Sequence, residues 1–287
     1  MKHRWIAAVL FLLCGRTVVF GVELGVALGV MGHDPTLNEM FGTDADLMSF
    51  IPFGNAHTGF DITDNMGLTI TVDQDPILKT RIMPVLGFTY NNIVNLKIGP
   101  FMGFPDIREI DVNPGISMTL DVAAPGVVFG SIRFDTTIGG GNIAPRNFVQ
   151  ELWEIKAGFW TPYIIFSLGA QNRSFTVLRE SEIYTSKWTR YIFSMDFFQK
   201  NVPRTWRFDL GYQKLRWFPH DQPTDGYEYR AFFLGAEFHL KVNYTTEIIM
   251  GGEGTFFSWN PKNSRKWYTQ SFVLFETRLG LVWSIGK

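Results

Sequence analysis

The residues able to do chemistry lie on the small, polar side of alternating stretches. They are Lys97, Asp121, Arg133, Asp135, Glu154, Lys156, Arg207, Asp209, Glu237, His239, Lys241, Glu253 and Arg278. Acids and bases are present in similar number. An unpaired ion in a dry interior costs several kcal/mol, so such groups must either pair or stand in water. Two readings stay open at this point. One is a salt-bridge network that fills the interior. The other is a hydrated passage whose opposed charges set a transverse field and select solutes.

Signatures of covalent chemistry are missing. The histidines are His3, His33, His57, His220 and His239, and none sits in an HExxH motif or a close metal pair. There is no GxSxG. Gly139-Gly140-Gly141 lacks the Lys and Ser/Thr that complete a phosphate loop. Asp44 with Asp46, and Asp221 with Asp225, read as solvated loop charge. The expectation is therefore no catalytic residue, no metal and no cofactor. A net charge of -1 gives no reason to expect nucleic acid as a partner.

The elements that position these charges alternate with a period of two. In TWRFDLGYQ, Trp206, Phe208, Leu210 and Tyr212 oppose Arg207, Asp209, Gly211 and Gln213. FFLGAEFHLKV sets Leu234, Ala236 and Phe238 against Glu237, His239 and Lys241. Such runs predict strands near 22–31, 56–63, 66–73, 80–90, 92–103, 113–123, 126–138, 150–160, 163–173, 187–199, 204–217, 228–242, 245–257 and 268–285. That is about 14 strands, with 12 as the fallback because HTGFDITDN alternates poorly. Turn residues mark short connections at Asp64-Asn65, Asn91-Asn92, Ala124-Pro125-Gly126, Thr161-Pro162, Asn201-Val202-Pro203 and Asn243-Tyr244. Longer stretches near 32–55, 73–80, 104–113, 139–149, 174–187, 219–227 and 259–267 alternate with them. Pro84 and Pro100 fall inside predicted strands, where each removes a ladder donor.

Alternation alone does not separate a soluble sandwich, apolar face inward, from a barrel with its apolar face in lipid. Three features favour the barrel. Strands of about ten residues match a tilted membrane crossing. Aromatics collect near strand ends: Tyr90, Trp160, Tyr163, Phe197 and Trp206 beside short turns, and Phe101, Phe104, Trp188, Trp217, Phe257, Trp259, Trp267 and Tyr268 beside long loops. Short turns at one end with longer loops at the other is the asymmetry of such barrels. Aromatics make up 16% of the chain, yet mean hydropathy is only +0.03, unlike a helical membrane protein. No window after the N-terminus has the run of about twenty apolar residues a membrane helix needs.

Residues 1–21 read as an export leader. Lys2, His3 and Arg4 precede the apolar run Ile6–Gly15, and the single cysteine, Cys14, lies within that run. One barrel domain, 22–287, follows. With the terminal strand, these features resemble the bacterial outer-membrane β-barrel proteins: all-β, transmembrane, antiparallel and up-and-down. In that family the last strand carries a signal: polar, any, Gly, any, any, aromatic, any, hydrophobic. Arg278, Gly280, Trp283 and Ile285 match it in register, with Gly286 and Lys287 following. The resemblance implies residence in the bacterial outer membrane, with its lipid and the barrel-assembly machinery as partners. It also implies a passive channel or transporter for a small solute. The alternative is a structural or adhesin-like barrel with a filled interior. Barrel phospholipases use a His-x-Ser pair, which this chain lacks. The loop at 32–55, with the apolar LMSFIPF at 47–53, is the candidate for an inward constriction.

Overall fold

The computed structural model describes residues 21–41, 49–105, 112–138, 148–179, 182–199, 202–222, 226–259 and 274–285. Most of the expected leader, residues 1–20, lies outside them, as do Asp44, Asp46, Gly139-Gly140-Gly141, Trp267 and Tyr268. The described chain is a closed barrel of fourteen antiparallel strands, each bonded to its neighbours in sequence. They are β1 (Val22–His33), β2 (Ser49–Thr63), β3 (Met66–Asp75), β4 (Lys79–Tyr90), β5 (Val94–Phe104), β6 (Asn113–Ala124) and β7 (Val128–Thr137). The second half comprises β8 (Phe148–Trp160), β9 (Ile164–Arg179), β10 (Glu182–Gln199), β11 (Val202–Pro219), β12 (Tyr227–Lys241), β13 (Thr246–Trp259) and β14 (Leu274–Ile285). The fallback of twelve strands is excluded, since HTGFDITDN closes the β2–β3 hairpin.

Closure runs through the chain ends. Val22 pairs with Ile285, and the register continues to His33 opposite Leu274. Closing the sheet removes the free edges that an open one would expose. Leu24, Val26 and Leu28 of β1, with Leu279, Leu281 and Trp283 of β14, are exposed on the outside. The same holds around the wall: Ile132 and Phe134 on β7, Phe208 and Leu210 on β11, Leu234 on β12. A large apolar surface of this kind is stable only against lipid.

Three expectations need correction. The stretch 73–80 is a tight turn at Pro76–Leu78, because the Asp75 carboxylate accepts the Ile77 and Leu78 amides at 2.8 Å each. The stretch 174–187 is mostly strand, and β9 and β10 run on to 16 and 18 residues. Phe101 and Trp188 do not belong to an aromatic girdle: they point inward and are 1% and 0% exposed. Phe101 fits because Gly115 faces it, where a Cβ would come 2.1 Å from its ring.

A charged lumen beneath an apolar cap

The loop end of the barrel is stopped by the chain's own residues. After β1 comes a 3₁₀ turn, Pro35–Leu37, followed by one helical turn, Asn38–Phe41. Leu37, Met40 and Phe41 are buried among Met31, Ile77, Phe148, Phe175, Trp188, Leu215, Tyr229 and Leu274. These partners come from strands all round the wall, so the segment crosses the lumen rather than lying on its rim. Two backbone carbonyls anchor it. Ser186 Oγ donates to Met40 O at 3.0 Å, and Lys79 Nζ donates to Phe41 O at 3.3 Å. Burying three such side chains is worth about 2 kcal/mol each. The inward constriction is therefore residues 35–41. It falls within the loop 32–55 named from the sequence, while Phe50, Ile51, Pro52 and Phe53 of its apolar stretch extend β2, where Ile51 and Phe53 back the cap and Phe50 faces out.

Below the cap the interior is ionic. Asp135, 0% exposed, accepts from Arg81 at 2.9 Å, Arg133 at 2.7 Å and Ser117 at 2.6 Å. Arg81 also bonds Asp73. Arg173 pairs with Asp75 at 3.0 Å, and Arg190 with Glu253. Both guanidinium groups lie near the Trp188 ring, at 5.1 and 5.3 Å from its centre. Arg207 binds Asp209 at 2.9 Å and lies 3.8 Å from Asp196. Glu237 accepts from Arg278 and from His239, whose second nitrogen meets Glu247.

Most of the residues singled out in the sequence are thus gathered inside. Asp121 accepts from Ser131 at 2.6 Å, and Glu154 from Gln171 at 3.0 Å. Lys97 lines the turn-end cavity. Lys156 pairs opposite Ser131 and lies 5.9 Å from the Phe129 ring centre. Lys241 stands exposed at the turn end of β12, apart from these networks. Sequence reading missed Asp73, Asp75, Arg81, Arg173, Arg190, Asp196 and Glu276. Asp73 and Asp75 carry the signal that was available, since they continue the β3 alternation into what was taken for loop. Arg278 faces the lumen while Trp283 faces out, and Ile285 takes part in closure through its backbone.

Among the described residues, two cavities lie in the lumen. One, of about 370 Å³, lies beneath the cap, between Asp75, Arg173, Arg190, Glu253 and Glu276. The other, of about 660 Å³, opens toward the short turns between Asn65, Lys97, Asp121 and Arg133. Glu154 lines both. Seven carboxylates and four guanidinium groups border the first. The second has four carboxylates against Lys97 and Arg133. Both cavities are therefore lined by charge and acidic on balance.

No family model matches the sequence, and no curated protein does. Solved structures do resemble the fold. CymD, a monoaromatic hydrocarbon channel, aligns over 92% of this chain and 88% of its own, at 7% identity and TM-score 0.52. A Pseudomonas aeruginosa FadL homologue aligns over 93% and 90%, at 8% identity and TM-score 0.49. The COG4313 outer-membrane channel of Pseudomonas putida F1 aligns over 92% and 96%, at 10% identity and TM-score 0.43. With fourteen strands, an apolar outer wall and a polar interior, the chain has the fold of the bacterial outer-membrane β-barrels and resembles that class as a whole.

Proposed function

We propose that this barrel is a gated passive channel for small, preferentially cationic solutes of the outer membrane. The observation that carries the proposal is a lumen with net-acidic cavities, stopped at one end by the segment 35–41. A structural barrel has no need of cavities of several hundred Å³, and its charges would pair off in full. Here an excess of carboxylates faces the water. Such walls concentrate counter-ions and speed their entry. The cap supplies the gate, since it is held by apolar contacts and two carbonyl hydrogen bonds rather than by strand pairing.

Passage requires the cap to swing aside. The surface it covers is aromatic, with Phe148, Phe175, Trp188 and Tyr229 around it. A solute with an apolar body and a cationic group would find partners for both ends. The hydrocarbon channel among the structural neighbours is consistent with an apolar component, though its likeness concerns the fold alone. Planar-bilayer recording of the purified protein tests the proposal. Brief, cation-selective openings are expected, and Phe41→Ser with Met40→Ser should lengthen them. A barrel that stays silent both with and without the cap contacts is a filled structural one.

A further inference from the structure

The outer wall changes character at one level across β10, β11 and β12. Trp188 and Arg190, Gln213 and Leu215, and Tyr229 and Ala231 are buried on the inner side. Their neighbours in sequence therefore face out. Toward the middle of the barrel the outward rows are apolar, with Phe193 opposite Leu210 and Leu210 opposite Leu234. The next row is aromatic: Tyr191, Tyr212 and Phe232 stand side by side, with ring centres 6.3 and 5.7 Å apart. One same-face step further, about 7 Å along the strands, the row is Thr189, Lys214 and Arg230. The row beyond is Lys187, Arg216 and Glu228.

We propose that Lys187, Lys214, Arg216 and Arg230 form a docking site for the phosphate-bearing headgroup of a membrane lipid. Three of these cations converge on a single carboxylate, and Lys187 stands opposite Arg216 at the edge of the group. Glu228 lies 3.2 Å from Lys214 Nζ and 3.6 Å from Arg216 Nε, and Arg230 bonds it as well. Glu228 neutralises one positive charge and holds the guanidinium groups in a fixed array. The array stays partly exposed, with side-chain exposures of 30% for Lys214 and Arg216 and 34% for Arg230. Guanidinium forks suit phosphate oxygens, and a rigid fork loses little freedom on binding.

Position selects the lipid over other anions. A row of Tyr and Phe at the end of an apolar wall marks the interface level of a membrane barrel. The cations begin one step above that row and point along the same wall, where headgroups stand. A soluble anion would gain from the cations alone, whereas a lipid also lays its acyl chains on the aromatic and apolar rows beside them. The site rests on the barrel's placement in a membrane and is independent of whether solute passes through it.

Native mass spectrometry of the full, folded chain in detergent tests this with three probes: bis-phosphorylated lipid A, the same lipid with its phosphates removed, and inorganic pyrophosphate. Retention of the phosphorylated lipid alone is expected. Lys214→Gln with Arg230→Gln should weaken it about thirtyfold, since each basic side chain contributes comparably at a phosphate surface. Heat-modifiable gel mobility reports whether that variant still folds, and Lys187→Gln alone provides a second, milder test. Equal retention of the two lipids overturns the proposal. So does displacement of the lipid by equimolar pyrophosphate, which would make the patch a free-phosphate site, or unchanged retention by a folded variant.

Discussion

Pro84 and Pro100 face each other across β4 and β5, and the hydrogen-bonded pairing stops on either side of them. It holds at Ile82 with Met102 and resumes at Leu86 with Ile98. A rung with proline on both strands offers no N–H donor. Both rings point to the lipid side, where an open sheet edge would otherwise be costly. Gly99 lets the strands draw together, as a Cβ there would fall 2.0 Å from the Pro84 carbonyl oxygen. The rung is a built-in weak line in an otherwise continuous wall.

Replacing both prolines with valine should therefore strengthen the barrel. Two restored donors are worth about 1 kcal/mol each. The amides of Ile82, Leu86, Ile98 and Met102, which flank the rung on the same seam, should exchange with solvent more slowly in the double variant than in the native protein. Unchanged exchange would mean the gap is set by the surrounding strands and not by the prolines.

Asp135 joins strands distant in sequence by accepting from Arg81 on β4 and Arg133 on β7 while almost wholly buried. Removing one partner of a buried ion cluster leaves the others uncompensated, which costs about 3–5 kcal/mol. Asp135→Ala should lower unfolding stability in urea by that order. Asp121→Ala, whose carboxylate bonds only a hydroxyl in the turn-end lumen, should cost much less. The comparison of the two midpoints checks the assignment.

Glu253 and Glu276 sit directly opposite each other on β13 and β14, and both border the cavity under the cap. Like charges at opposed positions destabilise a sheet, by roughly 0.5 kcal/mol. Glu276→Gln should relieve that repulsion and raise stability slightly. It should also lower the cation preference of the lumen, read as a reversal potential closer to zero in a salt gradient. Stability and selectivity moving in opposite directions is the signature of a charge kept for function.

The strand count, the closed order and the wet side were legible because alternation is a direct imprint of a wall with lipid outside and water inside. Lys97, Asp135 and Glu237 could be assigned to the lumen from parity alone. Parity also places Phe101 on the face of Lys97, and Trp188 on that of Arg190. Nearness to a strand end is no guide to the face, so these two aromatics look like girdle residues only when position along the strand is weighed above parity. The cap lies within the loop 32–55 singled out as a constriction, but on a different part of it from LMSFIPF. Residues 35–41 form two short turns, too few to show any period, whereas LMSFIPF is conspicuously apolar. Within it, Phe50 faces the outer wall while Ile51 and Phe53 face the cap, as a strand requires. Arg173 and Arg190 fall inside the predicted strands 163–173 and 187–199, but SLGAQNR and KWTRYIF mix polar and apolar residues on both faces, so parity does not mark the two arginines as lumenal.

The terminal strand separates stability from assembly. Trp283 stands on the outer face beside Leu24 of β1 and Thr246 of β13 in register, and Arg278 reaches inward to Glu237. Trp283→Ala removes aromatic area from the lipid interface, worth about 2 kcal/mol. If β14 only closes the wall, that loss should appear in the unfolding midpoint while the rate of insertion stays unchanged. If the strand is also recognised during assembly, insertion into outer-membrane vesicles containing the assembly machinery should slow well beyond the loss of stability. Leu281→Ala, on the same face but off the signal spacing, should lower stability without slowing machinery-assisted insertion. Measuring heat-modifiable mobility against time for the two variants, with and without the machinery, is expected to slow Trp283→Ala alone. Equal rates for both would assign Trp283 to wall closure only.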